Sequence, residues 1–164
     1  GSPSTFWYVD LIADALETIC KSRDAELAFV GSGQEKFKIE PNRMIEWSEE
    51  TEVGSICEFD VGIMPLQDGP WERGKCGLKL IQYMGCGKPV VASPVGMNES
   101  IVRKGKTGYF AANHDEWVER LTHLADNPGL ARQLGKNGYK RAKKNYSLSV
   151  TAPKFIQLLR DVAS

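Results

Sequence analysis

Arg73, Lys75 and Lys79 lie close together with Gly74 and Gly77, between the apolar run Val61-Gly62-Ile63-Met64-Pro65-Leu66 and a second apolar run that begins at Leu78. Cations and glycines at the mouth of a helix are what a diphosphate cradle requires. The first backbone N–H groups and the positive dipole end favour an anion, and glycine removes the Cβ that would hold a phosphate oxygen off the main chain. A lysine one turn into the helix reaches back as a point charge. The bland alternative is a tight turn at Gly77 with solvated lysines. No Asp-x-Asp pair follows a strand, and Asp60-Val61-Gly62 lacks a second carboxylate, so no metal site is expected. His114 and His123 read as surface residues rather than an acid–base pair.

Ligands of open parallel sheets sit at the carboxyl ends of strands, so the elements that carry these residues matter. Apolar residues at steps of three or four predict an amphipathic helix from Phe6 to Cys20, with Ser4 and Thr5 as N-cap candidates. Strands are predicted at 25–30, ending in Gly31-Ser32-Gly33, and more weakly at 44–47. Ser48 reads as the N-cap of a short helix ending near Cys57. A buried strand at 61–66, a polar loop at 67–74, a helix at 78–86 and a buried strand at 89–93 follow. A short helix starts at Asn98 or Glu99, a strand spans 107–111, and from His114 onward the pattern is helical, broken at Asn127-Pro128-Gly129 and at 145–147. The fold class is α/β, a Rossmann-like parallel sheet flanked by helices.

A doubly wound sheet normally opens with a strand, whereas this chain opens with Gly1-Ser2-Pro3-Ser4-Thr5 and enters a helix. On one reading a first strand is missing from the centre of the sheet; on the other, Gly1-Ser2 is a cloning scar. A missing central strand leaves unpaired neighbours that close up or accept another chain.

With 164 residues, 41% of them hydrophobic, the sequence reads as a single domain over 1–164. Its 21 basic and 21 acidic side chains cancel, so nothing in the overall charge draws it to nucleic acid or to an anionic membrane. Cys20, Cys57, Cys76 and Cys86 form no Cys-x-x-Cys or zinc pattern and read as reduced cytosolic thiols. No apolar run approaches the ~20 residues of a membrane span, and no secretory leader is visible. The expectation is a soluble cytoplasmic domain, with docking at a membrane left to a partner half.

The stretch 59–66, Phe-Asp-Val-Gly-Ile-Met-Pro-Leu, and the stretch 77–93, Gly-Leu-Lys-Leu-Ile-Gln-Tyr-Met-Gly-Cys-Gly-Lys-Pro-Val-Val-Ala-Ser, closely resemble glycosyltransferase family 4. The likeness continues through Pro94-Val95-Gly96-Met97-Asn98-Glu99 and Gly105-Lys106-Thr107-Gly108-Tyr109. It implies the C-terminal, nucleotide-sugar-binding half of a retaining two-domain GT-B enzyme. Such an enzyme transfers a hexose or related sugar to an acceptor held by an N-terminal half. The resemblance places the diphosphate on the amides of Gly77 and Leu78 and on Lys79, and the base at the Trp47-Ser48 turn. Lys79 and Lys75 are the expected catalytic cations, with Asp68 and Arg73 beside the donor. The family's Glu-x7-Glu pair falls on Gly74 and Gln82. Gln82 keeps a ribose contact as a neutral acceptor, and sugar contacts pass to Lys75, Asp68 or the absent half.

Loss of both glutamates also suits a degenerate, non-catalytic half that binds nucleotide sugar or acts as a scaffold. An NAD-dependent dehydrogenase lacks support, because Gly31-Ser32-Gly33 is not followed by a third glycine opening a helix. Self-association through an incomplete sheet or through the C-terminal helix is a further expectation, since Phe155, Leu158 and Leu159 form an apolar stripe expected to be exposed. The basic residues Arg132, Lys136, Lys140, Arg141, Lys143 and Lys144 read as a solvated helix face.

Overall fold

A computed structural model describes residues 7–31 and 37–163. The opening segment 1–5 with its N-cap candidates Ser4 and Thr5, Phe6 and the pair Ser32-Gly33 lie outside those residues. The elements run α1 (Trp7–Asp10), α2 (Ala13–Arg23), β1 (Ala28–Val30), β2 (Arg43–Ile45), α3 (Glu49–Cys57), β3 (Gly62–Met64) and α4 (Pro70–Arg73). They continue with α5 (Leu78–Gly85), β4 (Val90–Ala92), α6 (Met97–Ile101), β5 (Gly108–Phe110), α7 (His114–Asp126), α8 (Pro128–Tyr146) and α9 (Leu148–Ala163).

All strand pairs are parallel, but they form two sheets rather than one. β1 pairs with β2, and β4 lies between β3 and β5. The alternation along β4 explains how its two faces are covered. Val91 joins the cluster built by Leu16 and Ile19 of α2 and by Trp117, Leu121 and Leu124 of α7. Its neighbours Val90 and Ala92 join Leu80 and Met84 of α5, Ile101 of α6 and Ala142 of α8 on the other side. Side chains of a strand alternate faces, so a run apolar at every position is a strand buried on both. Each buried side chain of this size contributes roughly 1.5–3 kcal/mol relative to exposure.

Three elements differ from the pattern in the sequence. The first helix is two: the N–H groups of Leu11 and Ile12 bond three residues back, to Tyr8 and Val9, and this tight turn leaves Leu11 exposed while Tyr8 and Ile12 stay buried. The second strand ends at Ile45, before Trp47. The polar loop at 67–74 contains the helical turn α4, because Pro70 at its first position has φ already suited to a helix and Gly69 precedes it in extended form. Ser48 caps α3 as expected, its hydroxyl accepting from the Thr51 N–H at 3.2 Å.

The last helix carries no buried residue, and Phe155, Leu158 and Leu159 are exposed, as expected from the stripe. Arg141 of the basic run is not simply solvated: its guanidinium donates to the carbonyls of Ile101 and Ser100, closing the C-terminal end of α6. All four cysteines are free. Among the described residues, no helix is long and apolar enough to cross a membrane.

A Cβ at Gly62 would overlap the Tyr83 ring, which lies over the start of β3. Gly62→Ala is therefore expected to lower stability by about 1–3 kcal/mol in urea denaturation, the usual cost of overpacking a close-packed core.

Candidate functional site

Gly77 starts α5 from a left-handed backbone conformation, φ 66°, and a Cβ there would meet Ile101 Cδ1 and, at 3.4 Å, Asn98 Oδ1. Glycine is needed for both reasons, conformation and space. The first intrahelical bonds of α5 run from the N–H groups of Leu80 and Ile81 to the Gly77 carbonyl. The amides of Leu78 and Lys79 precede them at the positive end of the helix and have no backbone acceptor among the described residues. Asn98 is fully buried and donates to the Ser93 carbonyl at 3.0 Å, while Ser93 Oγ accepts from the Leu66 N–H at 3.0 Å. These bonds fix the ends of β3 and β4 behind the glycine turn.

Lys79 is held from across the cleft. Its ammonium lies 2.8 Å from one carboxylate oxygen of Glu52, and the other oxygen accepts from the Gln82 side-chain amide at 2.8 Å. Glu52 belongs to α3, the helix capped by Ser48, so the Trp47-Ser48 turn positions it. The Lys79 hydrogen bond holds the Glu52 carboxyl below its ordinary range against the opposing effect of burial, with the Trp47 indole and Gln82 adding to the lowering. The Gln82 carbonyl oxygen is buried and lacks a hydrogen-bond partner among the described residues. An orphaned buried acceptor is uncommon, and Gln82 lies outside the lining of the adjacent cavity, so a ligand reaches this oxygen only if the side chain turns.

Lys75 takes a different position, with its ammonium over the Tyr8 ring, 5.0 Å from the centroid. The Tyr8 hydroxyl donates to the buried Glu72 carboxylate at 2.5 Å, and the Gln67 amide donates to the same oxygen at 3.2 Å. Burial, then Glu72, push the Tyr8 hydroxyl up to about 12, and the Tyr8 hydrogen bond holds the Glu72 carboxyl low. Both ends of this bond therefore keep their neutral-pH forms.

The structure brings Lys75, Gly77, Leu78 and Lys79 to the wall of one cavity of about 1260 Å³, with Glu52 and Tyr83. Asp68 and Arg73 are outside that lining and engage one another in a two-point ion pair, at 2.6 and 2.9 Å, on an exposed part of the loop. Trp47 is half exposed. Glu52 is not legible in the sequence as a partner of Lys79. Its distance from Lys79 along the chain hides the pairing, and only its place one turn inside the Ser48-capped helix hints at it. Tyr8 and Glu72 were missed for the same reason.

A parallel sheet covered by helices on both faces, with an anion-favouring helix start past the carboxyl end of β3, defines a Rossmann-like α/β domain. The family described as Glycosyl transferases group 1 matches residues 6–127, and the chain belongs to that family. Among curated relatives, trehalose synthase of Pyrococcus horikoshii is 26% identical over 86 residues, covering 52% of this chain and 21% of that protein. The chain spans about a fifth of the length of the first curated relatives it matches. In fold it is similar to HepE of Anabaena, solved in complex with UDP-glucose, with a TM-score of 0.74 at 16% identity over 92% of this chain and 44% of that one. It is also similar to the C-terminal domain of a glycosyl transferase group 1 protein of Francisella tularensis, with a TM-score of 0.63 at 17% identity over 88% of this chain and 82% of that domain.

Because its folded-state value is lowered, Glu52 stabilises the fold above the ordinary glutamate value of 4.5, and that contribution is lost as pH falls through the folded-state value. Replacing Glu52→Gln should cost about 1 kcal/mol at neutral pH. The gap between the two proteins in thermal or chemical denaturation should narrow below pH 4.5 and close once the wild-type carboxyl is protonated.

Proposed function

We propose that the chain binds the nucleoside-diphosphate part of a sugar donor at the start of α5. On this reading it is the donor half of a retaining family 4 glycosyltransferase that moves a hexose or related sugar. The observation that carries the proposal is the Gly77-turned helix start, with amides that have no backbone acceptor among the described residues, and Lys79 beside them. The fold likeness to a protein solved with UDP-glucose supports a nucleotide sugar as the ligand class.

In glycosyl transfer the anomeric C–O bond breaks through an oxocarbenium-like transition state, and negative charge gathers on the departing diphosphate. Fixed donors aimed at the place where charge develops stabilise the transition state more than the bound substrate. The Leu78 and Lys79 amides and the Lys79 ammonium supply such donors, with Lys75 as a second cation on the same wall. Glu52 neutralises Lys79 in the structure described and keeps its side chain extended across the cleft. An arriving diphosphate shares that ammonium, which lets the charge engage without a search among rotamers. The Gln82 oxygen, buried and outside the cavity lining, would accept a ribose hydroxyl, the part that the resemblance gives to this position, once its side chain turns toward the cleft. These residues require no metal for the leaving group. The acceptor and its base belong to the other half of the enzyme.

Titration calorimetry with UDP and GDP, each with and without Mg²⁺, tests the reading. One diphosphate should bind independently of metal, and Lys79→Ala should weaken it about ten- to a hundredfold, as expected for a charge-assisted hydrogen bond worth ~1.5–3 kcal/mol. Absence of binding by either nucleotide would overturn it.

A further inference from the structure

One stripe of α5 is turned to α3. Lys79 and Gln82 meet Glu52 there, and Cys86, at the end of the helix, donates its thiol to the Val53 carbonyl at 3.9 Å. Positions 79, 82 and 86 are three and four residues apart, which places them on one face of the helix. An ion pair holds the end of the stripe near the Gly77 turn. About 10 Å further along the axis the two helices meet through a thiol.

The Val53 carbonyl also sets Cys86 against a second thiol. In α3 this carbonyl points along the helix to the residue four positions on, which is Cys57. The Cys57 and Cys86 side chains approach closely enough for a hydrogen bond between them. Both thiols are free, with Cys57 exposed and Cys86 partly buried. Burial, then Cys57, push the Cys86 thiol up to about 11, which leaves the exposed Cys57 as the sulfur that a reagent meets first. Nothing in the donor chemistry uses either thiol.

We propose that Cys57 and Cys86 are a dithiol that closes into a disulfide on mild oxidation by a small-molecule disulfide, pinning α3 to α5 at the end opposite the Glu52–Lys79 pair. The Cys57 thiolate attacks one sulfur of the reagent, which forms a mixed disulfide and releases one small thiolate. The Cys86 thiolate then attacks the Cys57 sulfur, forms the Cys57–Cys86 bond and expels the second small thiolate. Two protein thiols are oxidised, the reagent is reduced to two thiols, and the two protein protons pass through solvent to the released thiolates. The bond closes a loop that runs through β3, α4 and the Gly77 turn, so it restricts the unfolded chain. It also fixes the spacing between the Trp47-Ser48 turn and the Gly77 turn, a spacing that in the reduced protein depends on Glu52. The inference concerns the frame of the site and stands apart from whether a nucleotide sugar binds.

The test treats the 164-residue chain with oxidised glutathione, beside Cys57→Ser, and maps linked peptides by mass spectrometry without prior reduction. The unsubstituted chain should lose two hydrogens, join Cys57 to Cys86 and stay monomeric by sedimentation, whereas Cys57→Ser should form no internal link. Oxidation should raise Tm by about 5–10 °C, and dithiothreitol should reverse the change. Glu52→Gln supplies a second readout. Its α3 amides should exchange several-fold faster than those of the unsubstituted chain when both are reduced, and should return to the slower rate once the disulfide has closed. A persistent glutathione adduct on Cys57, a link through Cys20 or Cys76, or a link between two chains overturns the proposal. So does an oxidised Glu52→Gln protein whose α3 amides exchange as fast as in its reduced form.

Discussion

A single carboxylate joins the two halves of this site. Glu52, on the helix that follows β2, grips both the cation and the amide presented by the helix that follows β3. Those helices belong to different sheets, so side chains rather than a strand ladder set the spacing between Trp47 and Gly77. A charge-assisted bond in a half-buried setting is stronger than an exposed pair, because solvent screens it less. The negative charge beside the neutral Gln82 is supplied from α3, within hydrogen-bond reach of both Lys79 and Gln82.

The rest of the site depends on close approach. Backbone at the α5 start is exposed to a ligand only because Gly77 can adopt a left-handed conformation next to Ile101. Behind it, Ser93 and Asn98 bond the ends of two strands, which keeps the glycine turn in register with β3 and β4. The Tyr8–Glu72–Gln67 cluster anchors the neighbouring loop to α1 and places an aromatic face under Lys75. Each of the two lysines is thus oriented by a separate device, one ionic and one aromatic.

What could be read in the sequence was local. The apolar runs at 61–66 and 89–93 locate β3 and β4, although only their central residues join the ladders. Ser48 reveals the start of α3, and Gly77 that of α5. The helical turn at 70–73 escaped notice because polar residues around Gly69 and Pro70 look like loop, while the burial that stabilises it comes from Glu72 meeting Tyr8 far along the chain. Arg73 shows the same limit. Composition groups it with Lys75 and Lys79, but its planar fork matches Asp68 five residues away and turns it out of the cavity. Pairings set by tertiary contact, such as Glu52 with Lys79, leave no periodic trace.

Gly96 has φ 53°, and a Cβ on it would come within 2.6 Å of the Arg73 carbonyl oxygen and 2.8 Å of its Cα. Main chain therefore meets main chain where the loop after β3 passes the loop after β4. Two loops in such contact cannot be exchanged independently. A segment grafted from a relative between Gln67 and Cys76 would have to bring its own counterpart to 94–97, so the rim of the cleft behaves as one transplantable unit with Gly96 as its joint.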